Sequence, residues 1–142
     1  MRVGVLYFPT DYGIDIRELA RAAEERGFDS LLLPEHTHIP KSRRTPYPGG
    51  GELPRAYSHT HDPFVALSFA AAATTKILLG TGICLIPQRD PIVTAKCVAV
   101  WISCQTAGSF SVSAVAGMSM KWRITECATK RASSCCANAS WR

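Results

Sequence analysis

The chain has 142 residues and a formal net charge of +5, and its length sets one domain as the starting expectation. The charge is not a nucleic-acid footprint: residues 1–97 hold 11 Lys/Arg against 10 Asp/Glu, and the excess lies in residues 98–142, with 5 basic residues and a single acid, Glu126. No apolar run approaches the roughly 18 residues of a membrane span, and the opening MRVGVLYFPTDYGID is cut short by a proline and acids, so neither a membrane partner nor a secretory leader is expected; Cys84 and Cys97 are read as ordinary small residues of a cytoplasmic core, and the adjacent Cys135 and Cys136 suit neither a zinc site nor an easy disulfide.

Residues 3–8, VGVLYF, form an apolar run ended by Pro9, the pattern of a buried strand. Asp15 then precedes IRELARAAEERGF, where Ile16, Leu19, Ala20 and Ala23 recur at helical spacing and Gly27 suits the C-terminal cap. Ser30–Leu33 reads as a second buried strand ending at Pro34, which completes a β-α-β unit of parallel strands. The polar stretch from Glu35 to His61, rich in Pro and Gly, reads as a long loop of the kind that carries function. Asp62-Pro63 and Asp90-Pro91 each open a helix, with Asp as N-cap and Pro at the first helical position. Between them ILLGTGICLI reads as a third strand. The layout is parallel α/β, either a doubly wound open sheet or part of a (β/α)8 barrel.

In such folds ligands meet the C-terminal ends of the strands. Glu35 and His36 follow the second strand directly, and a histidine there can exchange a proton near neutral pH. The same pair could equally hold the loop in place. His36-Thr37-His38 and His59-Thr60-His61 are two His-x-His pairs, each able to offer two ligands where zinc takes three or four. Gly80-Thr81-Gly82 lacks a following helix and so does not fit a dinucleotide fingerprint; its glycines would let backbone approach a flat ligand.

The segments VGVLYFPTDYGID, ELARAAEERGFDSL, LLPEHTHIP and DPFVALSFAAAATTKILLGTGICLIPQRDPIVTAK resemble the N-terminal part of the luciferase-like monooxygenase superfamily, and within it the coenzyme F-420-dependent branch. The resemblance covers roughly residues 1–100. It implies the N-terminal part of a (β/α)8 TIM barrel, about three βα units, followed by an irregular tail. It also implies an oxidoreductase that passes a hydride between a deazaflavin or flavin and a small organic substrate. The cofactor would be coenzyme F-420, with FMN as the alternative, and intact members are expected to be homo-oligomers. Glu35 and His36 match the family's acid-histidine pair, where it places catalytic groups; Asp is commoner at the position of Glu35. Gly82-Ile83 match a non-prolyl cis peptide that backs the cofactor ring, and Thr81 would flank that ring. The loop 39–61 would lie over the substrate. A metal-dependent hydrolase barrel using the His-x-His pair stays open as an alternative, as does an inactive pseudogene product.

Composition breaks near Cys97. All nine prolines precede it, and all three tryptophans and four of the six cysteines follow it. Residues 1–97 are therefore read as a partial barrel domain and 98–142 as an aberrant tail. Where the family continues with a pattern like SLD-LSGGR and a glycine-rich strand ending near Trp-Asn, this chain reads AVWISCQTAGSFSVSAVAGMSMKW. Reading the codons one base earlier makes Trp101-Ile102 encode Asp and Met120-Lys121 encode Glu, and it permits LDQLSDGRLLLGVGGGWNVDEMENHG. One lost base around Val98–Val100 accounts for the tail, and the activity of the truncated chain is expected to be impaired or absent.

Overall fold

Three aspartates start three of the helices. In the computed structural model, which describes residues 1–40, 46–104 and 110–112, the helices are α1 (Ile16–Glu25), α2 (Ala56–His59), α3 (Pro63–Ala73) and α4 (Pro91–Cys104). The Asp15 carboxylate accepts the Arg17 N–H at 2.8 Å, Asp62 accepts those of Phe64 and Val65, and Asp90 accepts that of Val93 at 2.8 Å. Each carboxylate thus satisfies N–H groups that a helix leaves without an intrahelical partner. Gly27, with φ +77°, ends α1 in the left-handed region that a side chain would resist.

The strands are β1 (Gly4–Leu6), β2 (Ser30–Leu33), β3 (Leu78–Thr81) and β4 (Phe110–Val112). They form one parallel sheet in the order β1-β2-β3-β4. The order follows the chain without reversal, so the topological switch point of a doubly wound sheet is absent among the described strands. Helices α1 and α3 pack on each other and on one face of the sheet. Leu31, Leu33 and Leu79 point into that layer with Ala20, Ala23, Ala66, Leu67, Ala70, Ile77 and Trp101. Burying each leucine there contributes about 1.5–3 kcal/mol. The alternate residues face the other way, where Leu32 is half-buried and Leu6 is 63% exposed. Helices on one face and a sequential strand order are the winding of a (β/α)8 barrel, whose strands turn their second face to the barrel interior.

Four differences from the sequence expectation have local causes. Strand β1 is shorter than residues 3–8, although Tyr7 N–H still donates to Leu32 O at 3.0 Å. The third strand stops at Thr81, because the Glu35 carboxylate captures the Leu85 N–H and Pro87 has none to give; a short 3-10 helix, Ile86–Gln88, comes next. Helix α2 forms inside the stretch expected to be loop. A fourth strand, β4, pairs with β3 in the segment expected to be irregular, with Gly80 opposite Ser111. The composition break at Cys97 falls within α4, and the rest of the expected aberrant tail, residues 105–109 and 113–142, lies outside the described residues.

At the N-terminal end of β3 one carboxylate organises the turn into the strand. Glu24, in the last turn of α1, accepts N–H bonds from Thr75, Lys76 and Ile77, at 2.6–2.9 Å through Oε2. Burial works against its charge, but these backbone donors outweigh it and lower its pKa from the ordinary 4.5. Glu24→Ala is expected to lower stability by about 1–3 kcal/mol at neutral pH. A carboxylate with a lowered folded-state pKa stabilises above the ordinary value and ceases to do so as pH falls through the lowered one. Urea denaturation should therefore show the difference between wild type and variant closing below pH 4.5.

Candidate functional site at the carboxyl ends of β1, β2 and β3

Strand register brings the sequence-predicted residues together. Leu33 stands opposite Thr81, and the Gly82 N–H donates to Leu33 O at 2.8 Å. The segments Pro34-Glu35-His36 and Gly82-Ile83 therefore leave the sheet side by side. A Cβ on Gly82 would lie 3.1 Å from Leu6 Cδ1 and 3.2 Å from Leu32 Cβ, so glycine here allows close approach of the three strands. His36 is half-buried. Its ring stacks on Phe8 from the end of β1, with centroids 5.6 Å apart and planes 12° from parallel. Tyr57 of α2 covers it at 4.6 Å and reaches Phe8 at 5.0 Å, and Tyr47 meets Tyr57 edge-on at 5.8 Å. Burial, reinforced by Tyr47, raises the Tyr57 phenol above its ordinary pKa.

Glu35 lies behind His36 with its side chain 1% exposed. One oxygen accepts the Leu85 N–H at 2.6 Å and the other accepts Arg89 Nε at 2.6 Å. Arg89 also donates through Nη2 to Asp62, the N-cap of α3, and lies over the Phe64 ring at 4.5 Å. Burial opposes the Arg89 charge, but Asp62 and Glu35 outweigh it and raise its pKa. The network joins the end of β2, the start of α3 and the segment between β3 and α4. Thr37 Oγ1, donating to Gln88 Oε1, ties the same two segments again. Cys84 is fully buried beside it, and burial with the Glu35 carboxylate pushes its thiol up to about 12, so it stays protonated at neutral pH.

The second His-x-His pair anchors the covering loop. His59 Nδ1 and Asp11 Oδ1 are 2.9 Å apart, and Arg55 Nε donates to His59 Nε2 at 3.3 Å. That places the neutral ring's proton on Nδ1, donated to Asp11. Thr60 bridges Thr10, and the His61 N–H donates to Pro9 O at 3.0 Å. Loop and α2 are thus pinned to the segment after β1.

The site corrects several expectations. Thr81 is 0% exposed and lies on the helix-packed face, so its side chain does not flank an open surface. Both Glu35 oxygens are committed to partners in the fold, and His36, the next residue, is half-buried. No peptide bond among the described residues is cis, and Gly82-Ile83 is trans. The trans form is favoured by about 2.5–4 kcal/mol at a non-prolyl bond. His38 is exposed and contacts Thr37, and no group of three or more His, Cys, Asp or Glu side chains among the described residues is placed to hold a metal ion. Tyr57 and Arg89 escaped the sequence reading. Two open clefts of about 620 and 580 Å³ lie elsewhere, one between α1 and α3 and one between α3 and α4.

Removing Arg89 leaves a buried carboxylate without its cation, so Arg89→Ala should cost about 3 kcal/mol. Adding Glu35→Gln should recover part of that loss, and a double-mutant cycle by denaturant titration measures the coupling.

The sequence profile of the luciferase-like monooxygenase family matches residues 8–117. Uncharacterized proteins of Mycobacterium tuberculosis and Mycobacterium bovis are 42% identical over 102 residues, which is 70% of this chain and 36% of theirs. The chain thus spans about a third of the length of the curated relatives it matches. A monooxygenase from Streptomyces bottropensis superposes with a TM-score of 0.66 at 22% identity, over 94% of this chain and 39% of that one. A coenzyme F-420-dependent tetrahydromethanopterin reductase from Methanopyrus kandleri gives 0.62 at 22%, over 88% and 30%. The oxygenating constituent of 3,6-diketocamphane monooxygenase from Pseudomonas putida, in complex with FMN, gives 0.62 at 16%, over 88% and 32%. The fold is the first part of the barrel those structures share, and the chain belongs to the luciferase-like monooxygenase family.

Proposed function

We propose that the intact protein is an oxidoreductase that transfers a hydride between coenzyme F-420 and a small organic substrate, with FMN as the alternative cofactor. The observation that carries this reading is the placement of His36 and Gly82-Ile83 side by side at the carboxyl ends of β2 and β3, where parallel α/β enzymes bind their ligands. Family membership and the likeness to one structure described as F-420-dependent and another holding FMN support it.

The residues fit such a group in part. The half-buried Gly82-Ile83 backbone and His36 would meet it, while Glu35 and Thr81 stand behind them. When bound, the deazaflavin supplies the hydride donor or acceptor at its C5. His36 holds or delivers a proton at its imidazole nitrogen toward the substrate. Glu35 fixes that segment through Leu85 and Arg89. The loop bearing Tyr47 and Tyr57 shields the imidazole from water. A cytoplasmic homo-oligomer is proposed with this activity. Among the described residues no helix is long and apolar enough to cross a membrane.

We further propose that one base is lost near codons 98–100, so that this chain itself binds little or no cofactor. Resequencing should recover the base. The frame-restored protein should quench deazaflavin fluorescence on binding, and His36→Ala should lower its turnover by about 10²-fold or more. Saturable FMN binding without F-420 binding would reassign the cofactor; binding of neither would overturn the oxidoreductase reading.

A further inference from the structure

The His36 imidazole is met by two rings of the chain, Phe8 stacked on it and Tyr57 tilted against it. Tyr57 stands 4.6 Å from the imidazole and 5.0 Å from Phe8. It is carried by α2, a helix of four residues, none of which is buried. Past its C-terminal end the segment is pinned by the Thr60 bridge to Thr10 and the His61 bond to Pro9, and within it by the His59 contact with Asp11. On the N-terminal side Gly50 and Gly51 have φ of +76° and +71°, with no atom within 4 Å of where a Cβ would stand. Displacing the Tyr57 ring, with its contact to Tyr47, would leave those anchors in place.

We propose that Tyr57 is a built-in competitor for the substrate's place at His36, and that the substrate accordingly presents a flat apolar ring. This rests on the reading of His36 as the group that meets the substrate. Whatever displaces Tyr57 must replace the ring-on-ring contacts with His36 and Phe8. A planar π-system does so in both area and charge distribution, whereas a saturated group of the same size restores only area. Tyr57 therefore selects among substrates by being the ligand that each must outcompete.

The test uses the full 142-residue chain with isotope-labelled histidine, titrated with indole and followed at the His36 Cε1–H resonance, which is identified by its loss in His36→Gln. Wild type should show a saturable ring-current shift. Tyr57→Ala should bind indole about tenfold more tightly, because the competing ring is gone, and Tyr57→Phe should match wild type. Cyclohexanol should produce no saturable shift. Circular dichroism reports whether Tyr57→Ala keeps the fold; if it does not, Tyr57→Leu is read in its place for the same gain. Equal or weaker indole binding in the folded variant, or cyclohexanol binding as well as indole, overturns the proposal. Tightened indole binding here, together with absence of F-420 and FMN binding by the frame-restored protein, would overturn the oxidoreductase reading alone.

Discussion

The buried carboxylate of Glu35 is the joint on which the site depends. It lies where β2 ends, and its two oxygens bind groups 50 and 54 residues further along the chain. Without it the Leu85 N–H and the Arg89 guanidinium would be buried beside an apolar neighbour, a loss larger than the bonds themselves contribute. Because Arg89 also holds Asp62, the N-terminus of α3 is fixed to the same point. Three segments that share no continuous chain are thereby held in one arrangement, and His36 takes its place as the next residue out. Glu35 acts through position, and an Asp there would have to draw the two elements about one methylene closer.

A parallel sheet with helices on a single face is half of a design. The alternation in β2 assigns Leu31 and Leu33 to the helices and leaves Leu32 for the other side. In a (β/α)8 barrel that other side meets the interior layers of side chains, so the exposure of Leu6 is a property of the sheet's concave face rather than of a surface strand. The C-terminal rim is built differently. There Phe8, His36, Tyr47 and Tyr57 gather rings from the segment after β1 and the loop between β2 and α3, and the loop is secured by polar contacts to the segment after β1. Packing fixes the strands, and side-chain polarity fixes the loop to the segment after β1.

What was legible in the sequence was what local chemistry decides. Asp15, Asp62 and Asp90 announced their helices because a short carboxylate beside a free N–H is a local event. The apolar runs announced β2 and β3, and the family resemblance pointed to His36 and Gly82-Ile83, which the register does bring together. What was illegible depends on distant partners. Nothing near Arg89 says that it will pair with Glu35. Nothing in ELPRAYSHTH has helical periodicity, and α2 forms because His59 and Thr60 find Asp11 and Thr10. Thr81 was misplaced for the same reason: the motif located it at the strand end, but strand alternation turned it toward the helices, where Leu79 also points.

The break at Cys97 changes meaning once the helix is seen to cross it. Helix α4 continues to Cys104, Trp101 is 3% exposed in the core, and the family profile runs to residue 117. A change of domain would place a linker near the break, whereas the helix is continuous. A change of reading frame alters every side chain but not the number of residues between one element and the next. In the shifted reading LDQLSDGRLLLGVGGGWN, Asp is read across residues 101 and 102, so the segment LLLG falls across residues 108–112. Strand β4 occupies Phe110–Val112 in the frame as written. The shifted reading thus has an apolar segment where the chain as written forms β4. Beyond that strand the frames diverge: one has a glycine-rich strand end running to Trp-Asn, and the other has SAVAGMSMKW. Glycine at the carboxyl end of a barrel strand admits a ligand close to the backbone. On the proposal that a base is lost near codons 98–100, the first three strands keep the family's sequence and the segment after α4 does not.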